Sequence, residues 1–191
     1  MDLPNKKYNI IYADPAWKHK DKRQNPDSDR PTKYGGIYGR YDVMDTKDIC
    51  NLPINKIADE NCMLFMWVTF PNLQKGLDVI KAWGFDYRTL GFSWIKLNKK
   101  NKKAFFGIGY YTKSNCECCL IGVKGKPIVV DNTISSVLMK PRERHSKKPD
   151  IGRDKIVQLC GDLPRIELFA RERAEGWDAW GNDPALASEL G

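Results

Sequence analysis

The chain has 191 residues, 41% hydrophobic and 11% aromatic, with a formal net charge of +8. That is apolar enough for one domain with a sizeable core and too apolar for a disordered chain. No run approaches the roughly 20 apolar residues of a membrane span, and Met1-Asp2-Leu3-Pro4-Asn5-Lys6-Lys7 carries no signal core, so a cytoplasmic location without a membrane partner is expected. The basic balance favours polyanionic partners, nucleic acid first.

The first predicted element is a strand, Ile10-Ile11-Tyr12-Ala13, which stops at Asp14-Pro15-Ala16-Trp17. Pro15 has no N–H to give a ladder, so the chain turns there. A carboxylate, a carbonyl and a large aromatic then gather at the carboxyl end of a strand, where open α/β sheets place ligands. Methylation of an amino group on a planar base uses such a trio. Asp14 and the Pro15 carbonyl each accept one amine hydrogen, which turns the nitrogen lone pair toward a methyl donor, while Trp17 stacks on the base. The competing reading is a strand that merely ends in a turn, with Trp17 in the core.

The stretch 18–40 is polar and holds Pro26, Pro31, Gly35, Gly36 and Gly39. A loop this long reads as a lid over the turn. Its first cations, Lys18, Lys20, Lys22 and Arg23, are placed to hold phosphates without reading sequence. A short helix is predicted over 46–57, capped by Thr46 and limited by Pro53. A strand buried on both faces follows over 62–70. A helix over 72–83 starts at Asn72 and stops at Gly84. A third strand covers 92–97.

Lys96, Lys99, Lys100, Lys102 and Lys103 crowd the next polar loop, a second set of expected phosphate contacts. The segment 107–112 is rich in glycine and tyrosine. Further strands are predicted over 116–123, 136–139 and 165–170, with a helix over 150–159 ahead of Gly161. Strands alternating with helices imply an α/β fold, a mostly parallel central sheet flanked by helices, in a single domain over 1–191. Of six cysteines, Cys116, Cys118 and Cys119 cluster without paired C-x2-C spacing. They read as buried strand thiols in a reducing compartment, and no metal is expected.

Lys148, in Arg144-His145-Ser146-Lys147-Lys148-Pro149-Asp150, reads as a cation against a carboxylate of the protein or of a cofactor. His145 is either a general base or an exposed loop residue. Arg171 and Arg173 follow the last strand, and Asn182 and Asp183 lie on the loop after it. Polar groups so placed suit the ribose and amino-acid head group of a cofactor. The alternative is a structural salt bridge at Arg171 and a turn at Gly181-Asn182. No G-x-G-x-x-G or Walker-type loop occurs, which argues against dinucleotides and nucleoside triphosphates.

Taken in order, Ala13-Asp14-Pro15-Ala16-Trp17, Tyr41-Asp42-Val43-Met44, Met63-Leu64-Phe65-Met66-Trp67-Val68-Thr69, the segment from Glu117 through Gly125, His145-Ser146-Lys147-Lys148-Pro149-Asp150, Glu167-Leu168-Phe169-Ala170-Arg171 and Trp180-Gly181-Asn182 form a collinear set. With them the chain resembles the family of the mRNA adenosine-N6 methyltransferase catalytic subunit (MT-A70-like) and its bacterial and phage DNA-methylating relatives. The resemblance implies a Rossmann-like fold that uses S-adenosylmethionine. It implies Asp14, Pro15 and Trp17 as the catalytic turn, and Tyr41, Glu117 and Lys148 against the substrate. It assigns Asp14, Lys148, Arg171, Arg173, Asn182 and Asp183 to the cofactor. Ala16 departs from the family's usual second proline, and Asp183 stands where a glutamine is common. Asp2-Leu3 or a later loop is expected to stand in for an upstream segment that holds the cofactor adenine in larger members.

The function so implied is methyl transfer to adenine N6 in DNA, ahead of RNA, by a bacterial or phage enzyme. A homodimer is one way for so small a domain to grip a duplex. A non-catalytic nucleic-acid-binding subunit is the alternative of a different class. Intact Asp14, Trp17, Lys148 and Asn182 speak against it.

Overall fold

The computed structural model describes residues 2–17, 44–109, 111–143 and 147–181. Its elements are β1 (Tyr8–Ala13), α1 (Thr46–Asn51), β2 (Ala58–Val68), α2 (Leu73–Ala82), β3 (Asp86–Leu97), β4 (Cys116–Lys124), β5 (Val137–Pro141), α3 (Ile151–Cys160), β6 (Arg165–Leu168) and β7 (Asp178–Trp180). The strands form one sheet in the order β5-β3-β4-β2-β1-β6-β7. Of the seven, β4 runs antiparallel to both of its neighbours, and the other pairings are parallel. This is the mostly parallel α/β sheet that the alternation of elements implies, and the Rossmann-like architecture that the family resemblance implies.

Side chains alternate across a strand, so β1 and β2 feed two cores. Ile11, Ala13, Leu64, Met66 and Val68 pack with Ile49 of α1, and with Val79, Ile80 and Trp83 of α2 and its end. Ile10, Tyr12, Met63, Phe65 and Trp67 pack on the other face with Ile156 and Cys160 of α3. Strands covered on both faces need no polar alternation, which is why 63–68 reads as one apolar run.

The direction of β4 positions the site. β1, β2 and β6 end at the same edge of the sheet, because they run parallel. β4 runs the other way, so its beginning lies at that edge: Cys118 stands opposite Val68, and Glu117 opposite Trp94. The residue after β1, Asp14, and the second residue of β4, Glu117, are thereby brought together.

Several expectations are corrected. The first helix begins at Thr46, with Asp45 rather than Thr46 in the extended cap position. Pro53 ends it, and Ile54–Lys56 forms a separate 3-10 turn. β3 starts at Asp86, six residues before the predicted start, because its first residues are exposed and carry no apolar pattern. The 178–180 stretch, expected as loop, is the edge strand β7, and it pairs with β6. β6 stops at Leu168 because Phe169 adopts φ 60°, a left-handed conformation that is rare for a bulky residue and cannot continue a strand. No helix among the described residues is long and apolar enough to cross a membrane.

Candidate active site

The site is a chain of alternating charges across four segments. Lys148 Nζ, just ahead of α3, lies 2.7 Å from Asp14 Oδ2 and 3.3 Å from Glu117 Oε2. The other Glu117 oxygen, Oε1, accepts a hydrogen bond from Lys96 Nζ on β3. Each of the two cations in this row lies over an aromatic ring. The Lys148 ammonium is 5.7 Å from the Trp67 ring centre, and that of Lys96 is 5.2 Å from Trp94, both within cation–π range.

Burial sets the protonation equilibria. Burial pushes the Asp14 carboxyl up, and the nearby Lys148 and Arg171 only partly offset it. Burial also opposes ionisation of Glu117, but Lys148 and Lys96 together outweigh it and hold that carboxyl below the usual range. Burial opposes the Lys148 charge too, yet Asp14 and Glu117 win, so its pKa rises and it stays an ammonium. Two carboxylates beside one ammonium thus diverge: Glu117 is firmly ionised, and Asp14 is the one that can exchange a proton.

The turn after β1 is fixed by backbone contacts. The Trp17 N–H donates to the Pro15 carbonyl at 2.8 Å, and the Met44 N–H to the Ala16 carbonyl at 3.1 Å. The first of these closes a three-residue turn centred on Ala16. A carbonyl has two lone pairs, so the Pro15 oxygen keeps one for another donor.

Trp17, expected as a stacking platform, is instead 6% exposed and packed in the core. Its indole N–H donates to the Trp67 carbonyl at 3.0 Å. A ring so enclosed has no face left for a base, so its part is to anchor the turn. This is the competing reading of Trp17 that the sequence left open.

The remaining expected site residues are distributed as follows. Arg171 follows β6 and bears electrostatically on Asp14. Arg173 bears on Asp178, at the start of β7. Lys6 and Tyr8 also bind Asp178, each at 2.7 Å. Tyr8 opens β1 whereas Asp14 follows its end, so Asp178 lies at the opposite edge of the sheet. Lys99, Lys100, Lys102 and Lys103 are exposed on the tight turn after β3. Lys18, Lys20, Tyr41, His145, Asn182 and Asp183 lie outside the described residues. Cys118 and Cys119 are buried strand thiols and Cys116 is half-buried.

Sequence reasoning missed four residues in and around the site. Lys96 was counted with the loop lysines, but it points along β3 to Glu117; its two-residue offset from Trp94 on the same strand face was the available signal. Trp67 and Trp94 read as plain core. The left-handed Phe169 beside Arg171 left no signal, since glycine is the residue that marks such positions.

The MT-A70 family model matches residues 8–183. The type II methyltransferase M.MunI of a Mycoplasma species is 34% identical over 191 residues, covering 94% of this chain and 78% of that protein. The human N(6)-adenine-specific methyltransferase METTL4 is 29% identical, covering 93% of this chain and 38% of that protein. The N(6)-adenosine-methyltransferase subunit METTL3 of Danio rerio is 28% identical, covering 92% and 28%. The chain therefore spans well under half the length of these two larger relatives.

The raised Asp14 pKa has a consequence for stability. The folded chain holds that proton more tightly than the unfolded one, so stability falls as pH rises from the ordinary aspartate value through the raised one. Asp14→Asn removes this cost. Its thermal midpoint relative to wild type is expected to rise between acid and neutral pH; a midpoint difference that shrinks with pH contradicts the assignment.

Proposed function

Because the chain belongs to the MT-A70 family, we propose that it transfers a methyl group from S-adenosylmethionine to the exocyclic N6 amine of adenine in DNA. The observation that carries the reading is the pair of acceptors after β1: the Asp14 carboxylate held by Lys148 at 2.7 Å, and the Pro15 carbonyl fixed by Trp17. The N6 amine is a weak nucleophile because its lone pair is delocalised into the ring. Asp14 and Pro15 each accept one of its hydrogens, drawing the nitrogen toward tetrahedral geometry. Asp14, whose carboxyl is pushed up by burial, then takes the proton that the methylated amine sheds.

The donor set fits the cofactor. A desolvated acidic pair suits a sulfonium cation, and Lys148 and Arg171 suit its carboxylate. Asp14, Lys148 and Arg171 would hold it, with Asn182 and Asp183 from the following segment. When bound, S-adenosylmethionine supplies an electrophilic methyl group. Lys148 meanwhile keeps Asp14 ionised, and Glu117 keeps Lys148 charged and in place. Lys99, Lys100, Lys102 and Lys103, with Lys18 and Lys20, would neutralise phosphates. No group of acid, histidine or cysteine side chains suited to a metal ion occurs among the described residues, and the reading uses none.

DNA is placed ahead of RNA because the chain covers 78% of the type II methyltransferase but 28% of the adenosine methyltransferase subunit. RNA is the second reading, favoured by the adenosine-specific names among the relatives. Long unmethylated duplex DNA, single-stranded DNA and RNA, incubated with S-adenosylmethionine and digested to nucleosides, separate the two by mass spectrometry. N6-methyladenine is expected from DNA, and Asp14→Ala is expected to lower it at least about a hundredfold. Product from RNA alone moves the substrate class, and full turnover by Asp14→Ala overturns the mechanism.

The rate is expected to rise with pH through the raised Asp14 pKa, since the ionised form accepts hydrogens. Lys148 lowers that pKa, so Lys148→Met is expected to move the acid limb of kcat/KM to higher pH. An unmoved limb would mean that Lys148 does not hold the Asp14 charge.

A further inference from the structure

We propose that the connection between β3 and β4, residues 98–115, is a wedge that takes the target adenine out of duplex DNA. The inference rests on the proposed function and adds to it how a paired base reaches Asp14. The connection starts two residues after Lys96 and ends two before Glu117, so it rises from the rim of the charged row. It contains Lys99, Lys100, Lys102, Lys103 and Lys113, and no acidic residue.

Its base is held firmly. Leu97 pairs with Ala104, and the Asn98 N–H donates to the Lys103 carbonyl at 2.9 Å. The Phe105 and Gly107 N–H groups donate to Lys96 and Ser114 carbonyls. Asn115 donates to the carbonyls of Lys96 and Phe105. The Arg142 guanidinium lies 3.4 Å over the Phe105 ring.

Above this base the apolar side chains stand in solvent: Phe106 is 63% exposed, Ile108 78% and Tyr111 95%. Large apolar groups in so open a position signal a partner. A second copy of the chain meeting here about a two-fold axis would set five lysines against five. A polyanion meets the same charge favourably, so the occupant is nucleic acid. Phenylalanine and isoleucine are residue types that wedge between base steps. A base removed from a stack leaves a gap, beside a site that must receive the base. The lysine turn grips the backbone while Phe106 and Ile108 occupy the gap.

The test begins by mapping the adenine that the wild-type enzyme methylates in a long duplex. That adenine is then placed in two short duplexes, opposite thymine in one and opposite an abasic position in the other. Phe106→Ser with Ile108→Ser, both on exposed positions, is expected to lose at least about tenfold in rate on the paired adenine and under about threefold on the unpaired one, because unpairing is then already done. Equal loss on both substrates, or none on the paired one, overturns the wedge. A wild-type dimer by light scattering that this double variant dissociates also overturns it, and makes the segment an interface between copies. Wild-type enzyme that methylates no DNA fails at the mapping step, which refutes the proposed function itself and this inference with it. A functioning wild type whose variant is unaffected refutes the wedge alone.

Discussion

A buried carboxylate at the end of a strand needs a counter-charge, and Lys148 provides one to two carboxylates at once. Removing one member of such a buried group leaves an uncompensated charge, at a cost of about 3–5 kcal/mol. That constraint explains the layout. Asp14 comes from β1 and Glu117 from β4, so the two meet only because β4 runs antiparallel. Lys148 arrives from the segment before α3, and Lys96 from β3 completes the row on Glu117. Four segments distant in sequence converge on charges that would each be unfavourable alone.

The first turn of α3 holds Lys148 in place. Arg153 binds Glu167 of β6 at 2.6 Å through Nε and Asp150 at 2.7 Å through Nη1. Lys147 in turn reaches Asp150, Glu143 and Glu172. Glu167 is 8% exposed, and burial pushes its carboxyl up despite Arg153. Its neighbour on β1, Tyr12, accepts the Trp67 indole N–H at 2.6 Å. The start of α3 is thereby tied to β6 by ion pairs rather than by apolar packing alone, which fixes where Lys148 stands relative to Asp14.

Much of this was legible in the residues. The apolar run 10–13 stopping at Asp14-Pro15 marked β1 and the turn. The unbroken run 63–68 marked a strand buried on both faces, and Gly84 and Gly161 marked helix ends that do adopt positive φ. What stayed hidden depends on tertiary contacts. A strand's direction does not appear in its own sequence, so β4 gave no sign of running antiparallel. The exposed start of β3 and the three residues of β7 carry too little apolar pattern to register. Trp17 could be platform or core, and only the 6% exposure of its ring decided for the core. Lys96 and Lys99 look alike in sequence, yet one is on a strand facing an acid and the other is on a solvated turn.

The most direct measurement is a structure of the protein with S-adenosylhomocysteine and DNA containing its target adenine. The N6 amine is expected to be hydrogen-bonded between the Asp14 carboxylate and the Pro15 carbonyl, with Lys148 still on Asp14. An adenine amine bound away from both acceptors, or a Lys148 that has left Asp14 in that complex, would contradict the mechanism.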